Sequence, residues 1–199
     1  MRTTTLIRLG AVAAIAALAL GCAAKKMGGA TFHEQAMDFS LVHTVAVLPL
    51  SNLSPTQTAD DRVRDVFMTM LQAQGGGIYV VPLGEVQRAL TRVEMPNPAE
   101  PSAQNIVELG KILNADAIVT GTVLEYGEGR SGSASGNYVS LSAQMLECKT
   151  GKLVWSAQTT KGGVSTADRM FGGGGQPMNV VTAEAVNDLL DSLFKVHHF

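Results

Sequence analysis

Two cysteines, Cys22 and Cys148, are the side chains of this sequence best suited to covalent chemistry, because a thiolate is a strong nucleophile. Cys22 directly follows an apolar stretch near the N-terminus. If Cys22 is modified, Cys148 has no second cysteine with which to form an intramolecular disulfide. We expect Cys148 to be a small, half-buried apolar side chain; a reactive or intermolecular thiol is the alternative.

The histidines do not have a spacing typical of catalysis or of metal binding. They are His33, His43, His197 and His198. The last two, with methionines nearby, suggest weak copper or zinc binding, but a solvated end of a helix is the simpler interpretation. A catalytic triad is assembled in space rather than in sequence, yet no histidine has a sequence position typical of one. These residues therefore predict no enzyme and no metal site.

Three short strings match catalytic or nucleotide-binding motifs only in their letters. Gly127–Gly132 fits G-x-G-x-x-G, but that motif needs a helix directly after it, and a strand follows here. Lys149–Gly151 (K-T-G) and Ser192–Lys195 (S-x-x-K) occur in the penicillin-recognising enzymes in the opposite order, with a further motif between them that is missing here. We interpret the K-T-G string as a hairpin turn.

The N-terminus has the organisation of an export signal. Arg2 and Arg8 form a basic region, and residues 9–20 form an apolar region. This apolar region is shorter than the roughly 20 residues that a transmembrane helix needs, and it is typical of a secretory signal peptide. Residues 1–21 are therefore predicted to be a signal peptide.

The end of this signal, Ala19-Leu20-Gly21-Cys22, resembles the lipobox of bacterial lipoproteins, although that family prefers leucine where Ala19 stands. The resemblance implies a diacylglycerol thioether on Cys22 and a third acyl chain, such as palmitate, on its freed amine. Two or three acyl chains hold a protein firmly on a membrane. Because no aspartate follows Cys22, the resemblance implies sorting to the periplasmic face of the outer membrane. An ordinary signal peptide with a chance cysteine is the alternative.

Composition and length limit the remaining choices. A formal charge of -2 and only 16% charged residues exclude the basic surface of a nucleic-acid-binding protein. The 199 residues are enough for one domain with a proper core. Residues 22–41 show no periodicity and are predicted to be a lipidated tether. Residues 42–199 are predicted to form a single α/β domain.

Hydrophobic periods predict nine elements within this domain, in the order β-α-β-α-α-β-β-β-α. They are a strand at 43–50, a helix beginning at Thr58, a strand at 78–82, helices near 86–93 and from Ser102, strands at 115–125, 137–147 and 153–160, and a helix at 179–196. Short connections favour an antiparallel meander for the last three strands, while helical crossovers favour parallel strands before them. The expected fold is a mixed five-stranded sheet with helices packed on it.

Glycine marks three further positions. Gly110, on the inner side of a predicted helix, indicates close packing against the sheet. Gly127–Gly136 is predicted to be a flexible connection. Within the Gly-rich stretch 162–177, Met170 and Phe171 are candidate partner contacts, because exposed aromatic side chains anchor interfaces. The alternative is that Phe171 packs back onto the core.

Three longer strings resemble the shared core of a group of envelope lipoproteins. These strings are HTVAVLPLSNLS at 43–54, Leu109-Gly110-Lys111 followed by ADAIVTGTVLEY at 115–126, and SLSAQMLECKTGKLVWS at 140–156. The group comprises the CsgG family, the LpoB activators of peptidoglycan synthases, the N-terminal domain of TolB and related lipoproteins of unknown function. The resemblance covers residues 42–196. It implies a TolB-N/CsgG-like fold, no cofactor, and work done by binding other proteins.

The resemblance leaves two main functions open. We expect an outer-membrane lipoprotein that is an accessory or assembly factor of an envelope transport or secretion complex. The alternative is an LpoB-like activator of a cell-wall synthase, but that family uses a long tether and this one is short. CsgG-type proteins form rings, so a homo-oligomer is also considered, although the short Gly-rich connections argue against a pore built by this chain alone. A lone hydrolase would need a polar catalytic cluster that the sequence does not indicate.

Overall fold

A computed structural model gives the structure of residues 29–95, 97–131, 134–164, 170 and 175–195, with only the backbone of Ser131. The strands are β1 (Thr31–His33), β2 (Thr44–Val47), β3 (Ser51–Asn52), β4 (Tyr79–Val80), β5 (Ala117–Ser131), β6 (Ala134–Glu147) and β7 (Leu153–Gly162). The helices are α1 (Ala59–Gln74), α2 (Leu83–Val93), α3 (Ala103–Leu113) and α4 (Met178–Phe194), together with a 3-10 turn at Phe39–Leu41. None of the helices in these residues is both long and apolar enough to cross a bilayer.

The strands form one mixed sheet in the order β1-β7-β6-β5-β2-β4, and β3 pairs with β5. Strand β2 runs parallel to both β4 and β5, as the helical crossovers require. Strands β5, β6 and β7 form an antiparallel meander. The predicted mixed α/β fold and the meander are confirmed. The described residues contain seven strands rather than the predicted five, because the short strands β1 and β3 were not predicted.

Strand β1 lies within the segment that was predicted to be a tether. Thr31, Phe32 and His33 pair antiparallel with β7, and Phe39 is buried in the core with 1% of its surface exposed. A three-residue strand is too short for an alternating pattern to be visible in the sequence. The prediction of an unstructured tether is therefore wrong for residues 31–41.

Most of the segment Gly127–Gly136 is not a flexible connection but belongs to two paired strands, while residues 132 and 133 lie outside the described residues. Strands β5 and β6 stay in register from Ala117↔Glu147 to Ser131↔Ala134, with one irregularity after Val123. The Tyr138 ring covers Gly129, and an aromatic side chain over a glycine compensates for the packing that the glycine lacks. The predicted flexibility is wrong because cross-strand pairing outweighs the low strand propensity of glycine.

Two apolar clusters lie on opposite faces of the sheet. Helices α1 and α4 cover one face, where side chains such as Val119, Leu141 and Trp155 are buried. Helices α2 and α3 cover part of the other face, above Ile118 and Cys148. The predicted N-cap of α3 is confirmed as a capping box: the Ser102 hydroxyl accepts from the backbone of Asn105, and the Asn105 side chain accepts from the backbone of Ser102.

Gly110 lies where α3 contacts the end of β6, as the sequence predicts. A Cβ atom at Gly110 would lie 2.4 Å from Cys148 Cβ and 2.8 Å from Cys148 Sγ. We expect Gly110→Ala to lower the free energy of unfolding by about 1–3 kcal/mol through overpacking, although alanine favours helix formation by about 1 kcal/mol. Urea denaturation of both proteins measures the loss.

Gly84→Ala in α2 is the matched control. A Cβ atom there would meet only Arg88 Nη1, at an ordinary 3.6 Å. We expect this variant to be as stable as the parent or slightly more stable. If both alanine variants changed stability equally, the contact between α3 and β6 would not be the cause.

Candidate functional site

Cys148 follows β6 directly and is buried against Gly110, with 7% of its surface exposed. Burial and, to a smaller extent, the negative charges of Asp116 and Glu147 together raise the pKa of its thiol to about 12. The thiol therefore stays protonated at neutral pH, whereas nucleophilic attack requires the thiolate. This environment agrees with the expected apolar role and not with the reactive alternative.

A shallow cleft of about 550 Å³ lies beside Cys148, between the 3-10 turn, α3 and the end of β6. Its ionisable lining residues are Asp38, Lys111, Asp116, Glu147 and Lys149. Asp116 Oδ2 accepts hydrogen bonds from the backbone N–H groups of His43 (2.9 Å) and Thr44 (2.8 Å). Glu147 Oε2 accepts from the hydroxyl of Thr150 at 2.5 Å. These two carboxylates hold a strand end and a turn in place.

The ring of His33 also has contacts that hold parts of the domain together. His33 Nε2 lies 2.9 Å from the carbonyl oxygen of Ser192, and its ring packs edge-on against Phe39 at 6.1 Å. This contact joins β1 to the end of α4. His197 and His198 lie outside the described residues. Within the described ranges, no group of three or more His, Cys, Asp or Glu side chains is arranged to hold a metal ion.

Within the described residues, the most extensive surface that has no helix above it is one face of the meander. Thr159 and Lys161 of β7 contact Asp188 of α4, so the residues that alternate with them point to the opposite face. Helices α2 and α3 reach only the part of this face beside β2, the start of β5 and the end of β6. We call the remainder the open face: Thr122, Glu125, Ser140, Ser142, Gln144, Ser156, Gln158 and Thr160.

The open face consists of uncharged side chains that form hydrogen bonds, with the exposed carboxylate of Glu125 at its margin opposite Ser140. Gln144, Gln158 and Thr160 are exposed, and the hydroxyls of Thr160 and Ser140 bond to each other across the strands at 2.9 Å. Phe32 of β1 pairs with Ser156 at the edge of the open face, and 43% of the Phe32 surface is exposed. Short hydroxyl and amide side chains with a neighbouring aromatic ring suit contact with another protein, because they bind adaptably and lose little conformational entropy.

The sequence predicts part of this surface. The alternation along β6 separates Ser140, Ser142 and Gln144 from the apolar residues between them. That α2 and α3 leave Ser142 partly exposed and Gln144 exposed was not predicted, because coverage depends on how the crossover helices are placed above the sheet.

The predicted contact residues are only partly within the described structure. Met170 has 72% of its surface exposed. Two described residues further away, Gly163 and Gly175, donate backbone N–H groups to β6, at Asn137 O (2.7 Å) and Ser135 O (3.1 Å) respectively. Phe171 and Cys22 lie outside the described residues. Partner contact at Met170 and Phe171 therefore stays a prediction.

Comparison with known proteins gives a family and a fold. A family model described as "Putative lipoprotein GNA1162-like" matches residues 35–198. No curated protein matches the sequence.

Several solved structures are similar. The PelC dodecamer from Paraburkholderia phytofirmans shares 18% identity and has a TM-score of 0.54, covering 83% of this chain and 95% of that chain. Lipoprotein GNA1162 from Neisseria meningitidis shares 24% identity with a TM-score of 0.50, covering 65% and 90% respectively. The LpoB C-terminal domain from Salmonella enterica is more distant, at 12% identity and a TM-score of 0.46 over 60% and 82%. At these identities the likeness to PelC and to GNA1162 shows a shared fold.

Proposed function

The chain belongs to the GNA1162-like lipoprotein family, and we propose that it is anchored through acylated Cys22 on the periplasmic face of the outer membrane. There it acts without catalysis, as an accessory or assembly factor of an envelope transport or secretion complex. The lipid fixes its place, and the folded domain binds other proteins.

The open face is the observation that carries this proposal. Its centre is uncharged and Glu125 lies at its margin, it spans three strands of the sheet, and none of the described helices lies above it. Non-obligate protein interfaces are not more apolar than the rest of a protein surface, and charged residues are depleted at their centres. The open face has these properties. The described cleft, by contrast, contains a protonated thiol and carboxylates that bond to the protein's own backbone and turn.

Self-association supports the same role. The PelC protein, with which this chain shares its fold over most of its length, is a dodecamer. We propose that this protein also forms a homo-oligomer and that the open face takes part in its contacts.

The test is the native mass of the acylated protein in mild detergent, measured by light scattering on a sizing column. We expect a discrete oligomer. Gln158→Arg places a charge on the open face and is expected to lower the mass at least twofold, because an unpaired charge in a protein contact is costly. Gln72→Arg introduces the same charge on the exposed side of α1 and is the matched control.

Three outcomes would contradict the proposal or change it. A monomeric parent that retains no envelope protein would remove the assembly role. Equal effects of the two arginine variants would remove the open face from the contact. Co-purification of a peptidoglycan synthase that becomes faster in the presence of the protein would favour the alternative activator role.

A further inference from the structure

We infer that one end of the sheet faces the lipid bilayer and contacts its headgroup surface. This end, the hairpin end, consists of residues 128–131 of β5 and 134–137 of β6. The opposite end, at the turn 149–151, faces away from the membrane. The inference rests on the proposed acylation of Cys22, and it further specifies which surface of the domain contacts the membrane.

The direction in which the chain leaves the domain is the first observation. The carbonyl oxygen of Ala30 accepts from the N–H of Gln158 at 3.1 Å, which extends the antiparallel pairing of β1 with β7. A Cβ atom at Gly29 would lie 1.5 Å from Gln158 O, so the backbone there is pressed against β7. Followed backwards from His33 to Gly29, the chain runs toward the carboxyl end of β7, which is the direction of the hairpin end.

The length of the tether is the second observation. The seven steps from Cys22 to Gly29 reach at most about 25 Å. Gly29 lies beside Thr159, and Thr159 pairs with Leu141 of β6. From Leu141 to Ala134 the strand advances about 23 Å at roughly 3.3 Å per residue. A tether extended along β7 therefore ends near the level of the hairpin end, which brings that end to the bilayer surface.

In the reverse orientation, with the turn 149–151 toward the membrane, the same tether would barely reach the bilayer. The chain would have to turn back at Gly29 and pass the whole of β7 as far as Leu153, about 20 Å away at the strand rise. It would then have to pass the turn 149–151 before reaching the lipid. Almost the full length of the tether would be consumed, and the turn would begin where the backbone is tightly packed against Gln158.

The chemistry of the hairpin end suits headgroups rather than acyl chains. Glu128 and Arg130 are exposed, and the side chains at Ser135 and Asn137 are polar. We therefore expect contact at the level of the headgroups without insertion of the hairpin.

Site-specific fluorescence in vesicles tests this orientation. Arg130→Cys marks the hairpin end, Lys149→Cys the opposite end and Thr31→Cys the β1 edge; all three positions are exposed. The buried Cys148 thiol, whose pKa is about 12, does not compete for the label. The acylated proteins are labelled and placed in vesicles of phosphatidylethanolamine and phosphatidylglycerol that carry a headgroup quencher. We expect the label at residue 130 to be quenched at least threefold more than the label at residue 149.

Stronger quenching at residue 149, or at the edge residue 31, would overturn the orientation. A spacer of twenty Gly and Ser residues inserted after Ala24 provides a second test, because it adds a r.m.s. span of about 25 Å. We expect the quenching at residue 130 to fall while the protein stays on the vesicles, and unchanged quenching would overturn the role of the tether. Failure of the parent to float with vesicles would instead overturn the acylation on which the inference rests.

Discussion

Replacing Trp155 by alanine is expected to lower the free energy of unfolding by about 3–5 kcal/mol. Trp155 is fully buried, and its side chain is the bulkiest of the fully buried side chains among the described residues. It lies on β7 opposite His33 of β1 on one side and Met145 of β6 on the other, on the face that α4 covers. Truncation leaves a cavity where three strands and a helix meet, and such a site cannot collapse without moving the sheet.

Trp155→Phe is the matched control for this loss. The indole Nε1 is buried without a hydrogen-bond partner among the described residues, and burying such a donor costs about 1–3 kcal/mol. Phenylalanine keeps an aromatic ring and removes that N–H, so we expect a loss below about 2 kcal/mol. Tyr79→Ala, at a half-exposed edge position, is expected to change stability by less than about 1 kcal/mol.

Urea denaturation followed by circular dichroism measures these variants, because Trp155 is the single tryptophan and its fluorescence is lost with it. If alanine and phenylalanine lowered the free energy of unfolding equally, the lost volume of the aromatic ring would not be the cause of the destabilisation. A loss near 1 kcal/mol for alanine would mean that α4 and β1 move together to fill the space.

The elements that the sequence predicts correctly are long and have one apolar side. The alternation from Asn137 to Glu147 identifies β6, and the short connections on either side determine its antiparallel neighbours. The resemblance to envelope lipoproteins is confirmed by the family model. The prediction of β6 depends on an alternation that continues over about ten residues.

The elements that the sequence does not predict depend on distant partners. Strand β3 has two residues and forms only because β5 lies beside it. Asp116 holds the start of β2 through backbone N–H groups that are 72 and 73 residues away. Residues 127–131 pair with β6, and the ring that covers Gly129 belongs to Tyr138 on the other strand. Local propensity contains no information about these contacts.

The candidate site divides in the same way. The polar side of β6 is visible from its alternation, whereas the absence of a helix above it depends on where α2 and α3 lie. The protonated state of Cys148 likewise depends on Gly110 of α3, since the missing side chain at that position lets the helix bury the thiol.

Replacing Cys22 by serine is expected to abolish lipid attachment and to remove the protein from the outer membrane. Each buried CH₂ group of an acyl chain contributes about 0.8 kcal/mol to membrane binding, so two or three chains make the anchor nearly irreversible. A serine hydroxyl cannot form the thioether, and all of this energy is lost at once. Metabolic labelling with an alkyne fatty acid measures attachment, and a sucrose density gradient of the membranes measures location.

Cys148→Ala is the matched control, because its thiol is buried and protonated and is therefore a poor acceptor of a lipid. This variant is expected to keep both the label and the outer-membrane location. A Cys22→Ser protein that still sediments with the outer membrane would contradict the lipid anchor and would assign its location to protein contacts. The tether would then no longer determine which end of the sheet meets the bilayer, since a domain held by its open face is oriented by its partner.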